Sequence, residues 1–252
     1  MRRAVAKTLG ALLAATAGII LALHGAGVVD APARLLVACI VTSAALAAVA
    51  TIGSAWREWR ERRLGQRHEL AEITLTTAIW TVVDQVDPPL DYRDLGVAAY
   101  RIEAVWWWPG RSRLRRVHRV RASRRPVSSD VAWRPGKGVI GACVDRGEVV
   151  AVDLAQLYAD LGDPTAEEWR DLPADLRLGL DYEEYRDVRD KYAVVVATPI
   201  IDDSGPRSRV VGCVVLDGPA GRLADLTTDE VLGLLNFAAQ ALLQQVARGV
   251  GS

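Results

Sequence analysis

Two long apolar runs open the chain. Thr8 to Val29 carries no charge apart from one that His24 can take up, and Leu35 to Trp56 is a second uncharged run of 22 residues. As helix the second run is about 33 Å long, enough to cross a bilayer. Only Asp30-Ala-Pro-Ala-Arg34 separates the two, with Asp30 and Pro32 as turn formers, so the pattern predicts two transmembrane helices, about 8–29 and 35–56, folded as a tight hairpin. From Ser54 to about Val86 the residues favour helix, with Gly65 the one weak interior point, and Asp87-Pro88-Pro89 stops it. Leu70, Ile73, Thr77, Trp80 and Val83 or Asp84 recur at helical spacing, as do Leu75, Ile79, Val82 and Val86, which makes a broad apolar stripe. It can pair with a sister subunit or pack on the sheet of its own domain, and the second reading is preferred.

After the prolines the pattern shifts to alternation and short apolar runs. Leu95–Glu103 and Leu114–Ala122 read as a β-hairpin around Trp106-Trp107-Trp108-Pro109-Gly110, and Val149–Asp153, Ala193–Ile200 and Val210–Asp217 as three further strands. An acidic, helix-prone stretch, Leu154 to Lys191, separates the third strand from the fourth, and the turn Ile201 to Pro206 makes the last two an antiparallel hairpin. A final helix begins at Thr227, Thr228 or Asp229 and runs to about Arg248. Antiparallel strands with helices at both ends predict an α+β domain. The layout is a membrane anchor over 1–56, a connector helix over 57–86 and a soluble domain over 87–252.

Charge sharpens this layout. Formal net charge is zero over 252 residues, yet residues 1–140 hold 21 Lys+Arg against 11 Asp+Glu and residues 141–252 hold 10 against 20. Arg2, Arg3 and Lys7 precede the first run and Arg57, Arg60, Arg62, Arg63 and Arg67 follow the second, whereas the intervening loop has Arg34 alone. Basic residues stay on the cytoplasmic side, so the expectation is a multi-pass plasma-membrane protein with its soluble domain in the cytoplasm. A cleaved signal peptide is the competing reading of the first run; the second run would still anchor the mature chain. Trp56 and Trp59 stand where an interfacial aromatic belt belongs, and the arginines beside them can reach lipid headgroups. Apart from His24 neither run holds a charged side chain, so no series of acids or bases lines an ion route, which speaks against a pore. Three scattered cysteines, Cys39, Cys143 and Cys213, support neither a disulfide framework nor a zinc site.

The order helix, strand hairpin, Gly136-Lys-Gly-Val-Ile-Gly141, strand, helical insert, strand with Thr198-Pro199-Ile200, turn, then Val210-Val-Gly-Cys-Val-Val-Leu-Asp217 and a helix resembles a GAF domain over roughly residues 68 to 248. The motifs that carry the resemblance are Gly136–Gly141, Pro199, and Gly212 with Asp217. It implies a five- or six-stranded antiparallel sheet flanked by helices, dimerisation through terminal helices, and a small-molecule pocket between the sheet and the crossover segments. Cys143 is followed by Val144, not by the histidine common after the chromophore-binding cysteine of phytochrome-type GAF domains. Nor is the cysteine arrangement of GAF-type methionine sulfoxide reductases matched.

Gly136–Gly141 also fits G-x-G-x-x-G, but Trp133-Arg134-Pro135 precedes it rather than a strand of a βαβ unit, which rejects a Rossmann site. A turn into a short helix at Val139–Val144 is expected, whose first N–H groups beside Lys137 can cap the turn or hold an anion. Eight arginines lie within fifteen residues, 111–125. Strict alternation puts Arg113, Arg115, Arg119 and Arg121 on one face of the strand and Arg116 and His118 on the other; the larger set is assigned to solvent, acidic surfaces or the anionic leaflet, the smaller to the pocket. Trp106–Trp108 is either cover for a neighbouring element or an exposed wedge for a lipid interface. No recognition motif for nucleic acid accompanies the charge. The acidic insert, with arginines interleaved, reads as a lattice of surface ion pairs.

The site expected is therefore Arg116, His118, Trp133 and Lys137 around a small anionic or nucleotide-like ligand: arginine for a phosphate or carboxylate, lysine at a helix start, tryptophan to stack on a planar group. No catalytic set or metal site is expected, the cofactor is left open (His118 is the one histidine in the domain that haem could use), and enzymic activity is not anticipated. The functional expectation is a membrane-anchored sensory or regulatory module that signals through helices of a homodimer to an unidentified protein partner, since no output domain follows. The alternative is a ligand-free GAF-fold module for dimerisation or docking.

Overall fold

The computed structural model describes residues 16, 18–19, 22–27, 32–105, 110–123 and 129–247. Most of the first apolar run, the tryptophans at 106–108 and the arginines at 124–125 lie outside these residues. Contacts divide the chain into two units, residues 1–66 and 67–252.

In the first unit, helix α1 (Ala33–Gln85, continuing into the second unit) takes in the second apolar run. Its segment Ala33–Trp56 has a mean hydropathy of 2.5 and is long and apolar enough to cross a membrane. Trp56 and Trp59, one turn apart, meet edge to face with centroids 6.2 Å apart. The two-helix hairpin expected of the anchor rests on one described helix of this kind.

The second unit is built on a five-stranded antiparallel sheet in the order β2-β1-β5-β4-β3. Its strands are β1 (Gly96–Ala104), β2 (Ser112–Arg121), β3 (Val150–Asp153), β4 (Val194–Asp202) and β5 (Arg209–Gly218). The central pair β4 and β5 is apolar on both faces because both faces are covered. On one face lie the C-terminal part of α1 and α8 (Asp229–Ala247). There Leu75, Ile79, Val82 and Val86 of α1 and Val231, Leu235, Leu242 and Val246 of α8 form one cluster with Val97, Val196, Val214 and Leu216. Each such side chain contributes about 1.5–3 kcal/mol when fully buried. The stripe on α1 is thus divided: these residues cover the sheet, while Leu70, Ile73 and Trp80 remain at least half exposed.

The other face carries α2 (Gly138–Arg146) and the insert between β3 and β4, comprising α3 (Leu154–Leu161), α4 (Ala166–Asp171), α5 (Ala174–Arg177) and α6 (Tyr182–Arg189). A four-residue turn of helix, α7 (Leu223–Leu226), precedes α8. Thr165 and Asp181 start α4 and α6 with reciprocal capping boxes to Glu168 and Glu184, which satisfy backbone donors that would otherwise be orphaned. The insert is more than a charged surface. Trp169 and Tyr185 are buried and stacked at 4.0 Å, with Tyr158 edge-on to Tyr185 at 5.0 Å. Of the expected ion pairs at helix-neighbour spacing in the insert, Lys191 with Asp187 forms.

The hairpin departs from strict alternation at one place. Ala99 pairs with His118 and Tyr100 with Arg116, so Val117 is an extra residue in β2. Such a β-bulge puts two neighbours on the same side and reverses the phase beyond it. Arg113 and Arg115 therefore share the helix-covered side with Val117, His118 and Val120, whereas Leu114, Arg116, Arg119 and Arg121 fall on the side of Ala98 and Tyr100. The expected sets were Arg113, Arg115, Arg119, Arg121 against Arg116, His118; the bulge exchanges the second half of each.

Candidate functional site: a pocket under the helical insert

Between the sheet and the α2/insert layer lies a pocket walled by Tyr100 of β1, Trp133, the start of α2 at Gly138–Ile140, Tyr158 of α3, Leu180 and Tyr192. Arg119 of β2 and Asp217 of β5 also line it. Its empty space, counted out to solvent, is about 540 Å3.

The polar end is set by the hairpin register. Gly96 and Arg121 pair, and Gly96 pairs also with Asp217 on β5. A Cβ at Gly96 would come within 2.4 Å of the Asp217 carboxylate, so glycine there makes room for the acid. Arg121 donates to Asp217 and the two form an ion pair with both side chains largely buried. Burial pushes the Asp217 carboxyl upward, against the opposing pull of Arg121 and Arg119. Two guanidiniums thus face one carboxylate. Burial likewise raises the Tyr100 and Tyr158 phenols, so both stay protonated donors at neutral pH. The Tyr158 hydroxyl is buried without a hydrogen-bond partner, as is Nε of Arg121. In folded proteins most such groups are satisfied, and the Tyr158 residue is only 3% exposed.

The four residues expected from sequence separate. Trp133 is in the pocket wall. Arg116 is exposed on the pocket side of β2, opposite Tyr100, whose phenol feels its charge. His118 is on the helix-covered side of the sheet, opposite Ala99, which corrects its assignment to the pocket-facing set. Lys137 is buried and held by both oxygens of Glu184 at 2.6 and 2.7 Å. It ties α2 to α6, and the adjacent Gly138 N–H, the first of α2, donates to Leu178 O at 2.6 Å, so the Lys137 ammonium and the first N–H of α2 are engaged within the protein.

The glycine motif works by close approach. Gly138, at φ +64°, lies under the Trp133 ring, where a Cβ would come within 2.5 Å of Cζ3. At Gly141 a Cβ would meet Arg134 O at 2.2 Å. These glycines let the Trp133–Pro135 segment lie flat on α2 and place the indole in the pocket. Sequence reasoning missed Tyr100, Tyr158, Tyr192 and Arg119. The odd interval between Val117 and Val120, both facing the same helix-covered core, was a signal of the bulge. For Tyr158 and Tyr192 none stood out beside the surrounding charges. Among the described residues no group of three or more His, Cys, Asp and Glu is placed to hold a metal ion.

The domain is GAF-like in fold. No family model matches the chain, and no curated protein is similar in sequence. Solved structures similar to it include the GAF domain of an Acinetobacter phosphoenolpyruvate-protein phosphotransferase, at 11% identity over 69% of this chain and 92% of that one, with a TM-score of 0.37. A free methionine-R-sulfoxide reductase from Neisseria meningitidis aligns at 13% identity over 74% of this chain and 92% of its own, TM-score 0.38. An NreA protein from Staphylococcus aureus, mutated in its nitrate binding site, aligns at 16% over 62% and 92%, TM-score 0.33. The expectation that the chain is not an enzyme is corrected by these findings: a free methionine-R-sulfoxide reductase is among the solved structures similar to it.

Proposed function

We propose that the GAF-like domain is a sensory module that binds a small ligand in the pocket between its sheet and the helical insert. The observation that carries this reading is the pocket itself, enclosed between the sheet and the insert by Tyr100, Trp133, Tyr158 and Tyr192 with Arg119 and Asp217 at its border, since an apolar cleft with a few convergent polar groups is the usual form of a small-molecule site. Arg119 and the Arg121–Asp217 pair make one end of the pocket polar and charged, which suits a ligand with a polar head. Lys137, already bound to Glu184, is assigned to structure.

In this reading Ala33–Trp56 and the first apolar run anchor the chain in the plasma membrane with the domain in the cytoplasm. Ligand occupancy is passed through α1 and α8 in a homodimer to a partner protein. Support comes from the arginines flanking both runs and from the apolar residues of α1 that its own domain leaves exposed. Ser252→Cys in intact cells reports topology: an impermeant thiol reagent that labels it would overturn the cytoplasmic placement.

The pocket is tested by screening nucleotides, carboxylates and inorganic anions for thermal stabilisation of the full chain in detergent, because a ligand that binds only the folded state raises its stability by mass action. A stabilising compound is expected to lose its effect in Ala98→Leu, which fills the pocket floor. Stabilisation unchanged in that variant would place binding elsewhere, and a screen with no stabilising compound would favour a ligand-free docking module.

A further inference from the structure

Resting on the membrane-anchored reading of the chain, we infer that the end of the sheet where β1 turns into β2 is a docking surface for an anionic lipid leaflet. Its centre is Glu103. The register sets Arg101 opposite Arg115 and Glu103 opposite Arg113, so the four stand together on one side of the hairpin. Arg113 donates to Oε2 of Glu103 through Nε at 3.1 Å and Nη2 at 2.9 Å, Arg115 donates to Oε1 at 3.3 Å, and Arg101 donates to Oε1 as well. Three guanidiniums share one carboxylate, which leaves the cluster with two positive charges in excess. The acid lies beneath, its side chain 13% exposed, while those of Arg113 and Arg115 are 57% and 61% exposed and face outward.

The turn continues the basic surface. Arg111 and Arg134, both exposed, border an open depression with Gly110, Ser112, Gly136 and Gly179. At Gly110 and Gly136 a Cβ would meet nothing within 4 Å, so the backbone there is bare to an approaching headgroup. Lys137, which also lines the depression, is neutralised by Glu184, so the arginines set its charge. Guanidinium groups meet phosphate oxygens bidentately. Charge that served only to keep an edge strand from pairing would sit on β2; here Arg101 of the inner strand β1 joins the same cluster.

A lipid leaflet fits this surface because of where it falls in the domain. The segment that follows α1 is held at the opposite end of the sheet: Arg222 donates to Pro88 O at 2.8 Å, and Leu95 and Leu226 close around Gly218, the last residue of β5. At the hairpin end, Val246 of α8 lies against Gly212, the β5 partner of Arg101, and Ala71 of α1 shares its core cluster with Val246 and Val211. Within the domain α1 therefore enters at the arginine end, and the apolar segment Ala33–Trp56 precedes that entry in sequence. The far end is acidic, with Asp84, Asp87, Asp91, Asp94 and Asp225 against Arg93 and Arg222. A domain charged in this way turns its arginines toward an anionic surface and its acids away.

The test reconstitutes the full chain in vesicles of phosphatidylcholine, alone or mixed with phosphatidylglycerol, with a nitroxide quencher on some headgroups. A fluorophore is carried at Ala104→Cys, beside the cluster, or at Ala220→Cys, at the acidic end; both positions are exposed, native Cys143 and Cys213 are buried, and the chain without an added cysteine gives the background. Expected is quenching at 104 and not at 220 in the mixed vesicles, lost in phosphatidylcholine alone and at high salt. Each arginine held at the surface multiplies the docked population by about fivefold, so Arg113→Gln with Arg115→Gln should lower the docked-to-free ratio by roughly twentyfold. That variant leaves Glu103 bonded to Arg101; Arg134→Gln, on the depression, is a second variant and should lower the ratio by about fivefold. Quenching at 104 that is equal in both lipids, or that survives both variants, would overturn the docking surface. So would a random RNA that binds the chain in phosphatidylcholine vesicles and is lost in the double variant while lipid has no effect, which would assign the patch to nucleic acid. A chain that resists alkaline carbonate extraction yet shows no lipid dependence sinks the docking alone, and a chain that carbonate extracts sinks the anchor with it.

Discussion

Thr198 sits on β4 between Val196 and Ile200, two residues of the core under α1 and α8. It is fully buried and its hydroxyl has no partner. Burying a hydroxyl without a hydrogen bond costs about 1–3 kcal/mol by the measure of protein mutations, and valine has the same shape without that cost. Thr198→Val is therefore expected to stabilise the domain by about 1 kcal/mol, read as a raised denaturation midpoint with an unchanged slope in urea. Lys137 gives the opposite sign. Its ammonium is chelated by Glu184 in a mostly buried pair, and removing one partner leaves a carboxylate without its counter-charge. Lys137→Met should cost about 2–4 kcal/mol, with Glu184 still capping α6 through the Asp181 N–H. A change below about 0.5 kcal/mol in the same urea titration would mean that water already screens the pair.

At the scale of elements, all five strands and both long helices of the domain are legible in the sequence, because alternation and helical spacing persist wherever one side is buried. The glycine run is legible as a turn into α2 for a different reason: Pro135 and two glycines leave few other backbones. The faces of β2 are not, since Ser112–Arg121 is dominated by arginine and a polar strand looks the same in either phase. What breaks the tie is tertiary: Val117 and Val120 both seek the core under α1 and α8, and only a bulge lets them reach it. Deleting Val117 keeps the pairs Tyr100 with Arg116 and Ala99 with His118 as neighbours in a regular ladder. That variant should fold with a modest loss of thermal stability. Deleting Arg119 instead would bring Arg121 opposite Val97, on the core side, and should leave the domain unfolded or insoluble. Equal circular dichroism melts for the two deletions would refute the bulge as the phase-setting device. The pocket is half legible for a related reason: Trp133 stands out as an aromatic next to the Gly136–Gly141 turn, able to stack on a planar group, whereas Tyr158 and Tyr192 become a wall only when the insert folds back on the sheet.

For the whole molecule the question is what covers the rest of α1. Leu70, Ile73, Thr77 and Trp80 follow one another at intervals of three, four and three, the spacing of a coiled-coil seam. Leu70, Ile73 and Trp80 are 57%, 56% and 50% exposed, although the residues one position away, Ala71 and Ile79 among them, are buried in the domain core. Phe237 of α8 is 72% exposed as well. A soluble surface seldom leaves such large side chains in a row uncovered, and a second copy of the chain supplies the same seam in register if both copies are held parallel by one membrane. The full chain is expected to be a homodimer in mild detergent at micromolar concentration by light scattering. Ile73→Glu with Trp80→Glu should shift it to monomer, because two like charges at successive seam positions repel across the dimer axis and remove the apolar contact. Ile73 is outside the domain core and Trp80 meets it only through its stack on Tyr92, so the melting of the monomeric variant's α+β unit should move far less than its mass. A wild-type chain that elutes as a monomer under these conditions would refute the seam, and a double variant that remains dimeric would move the interface to α8 and Phe237.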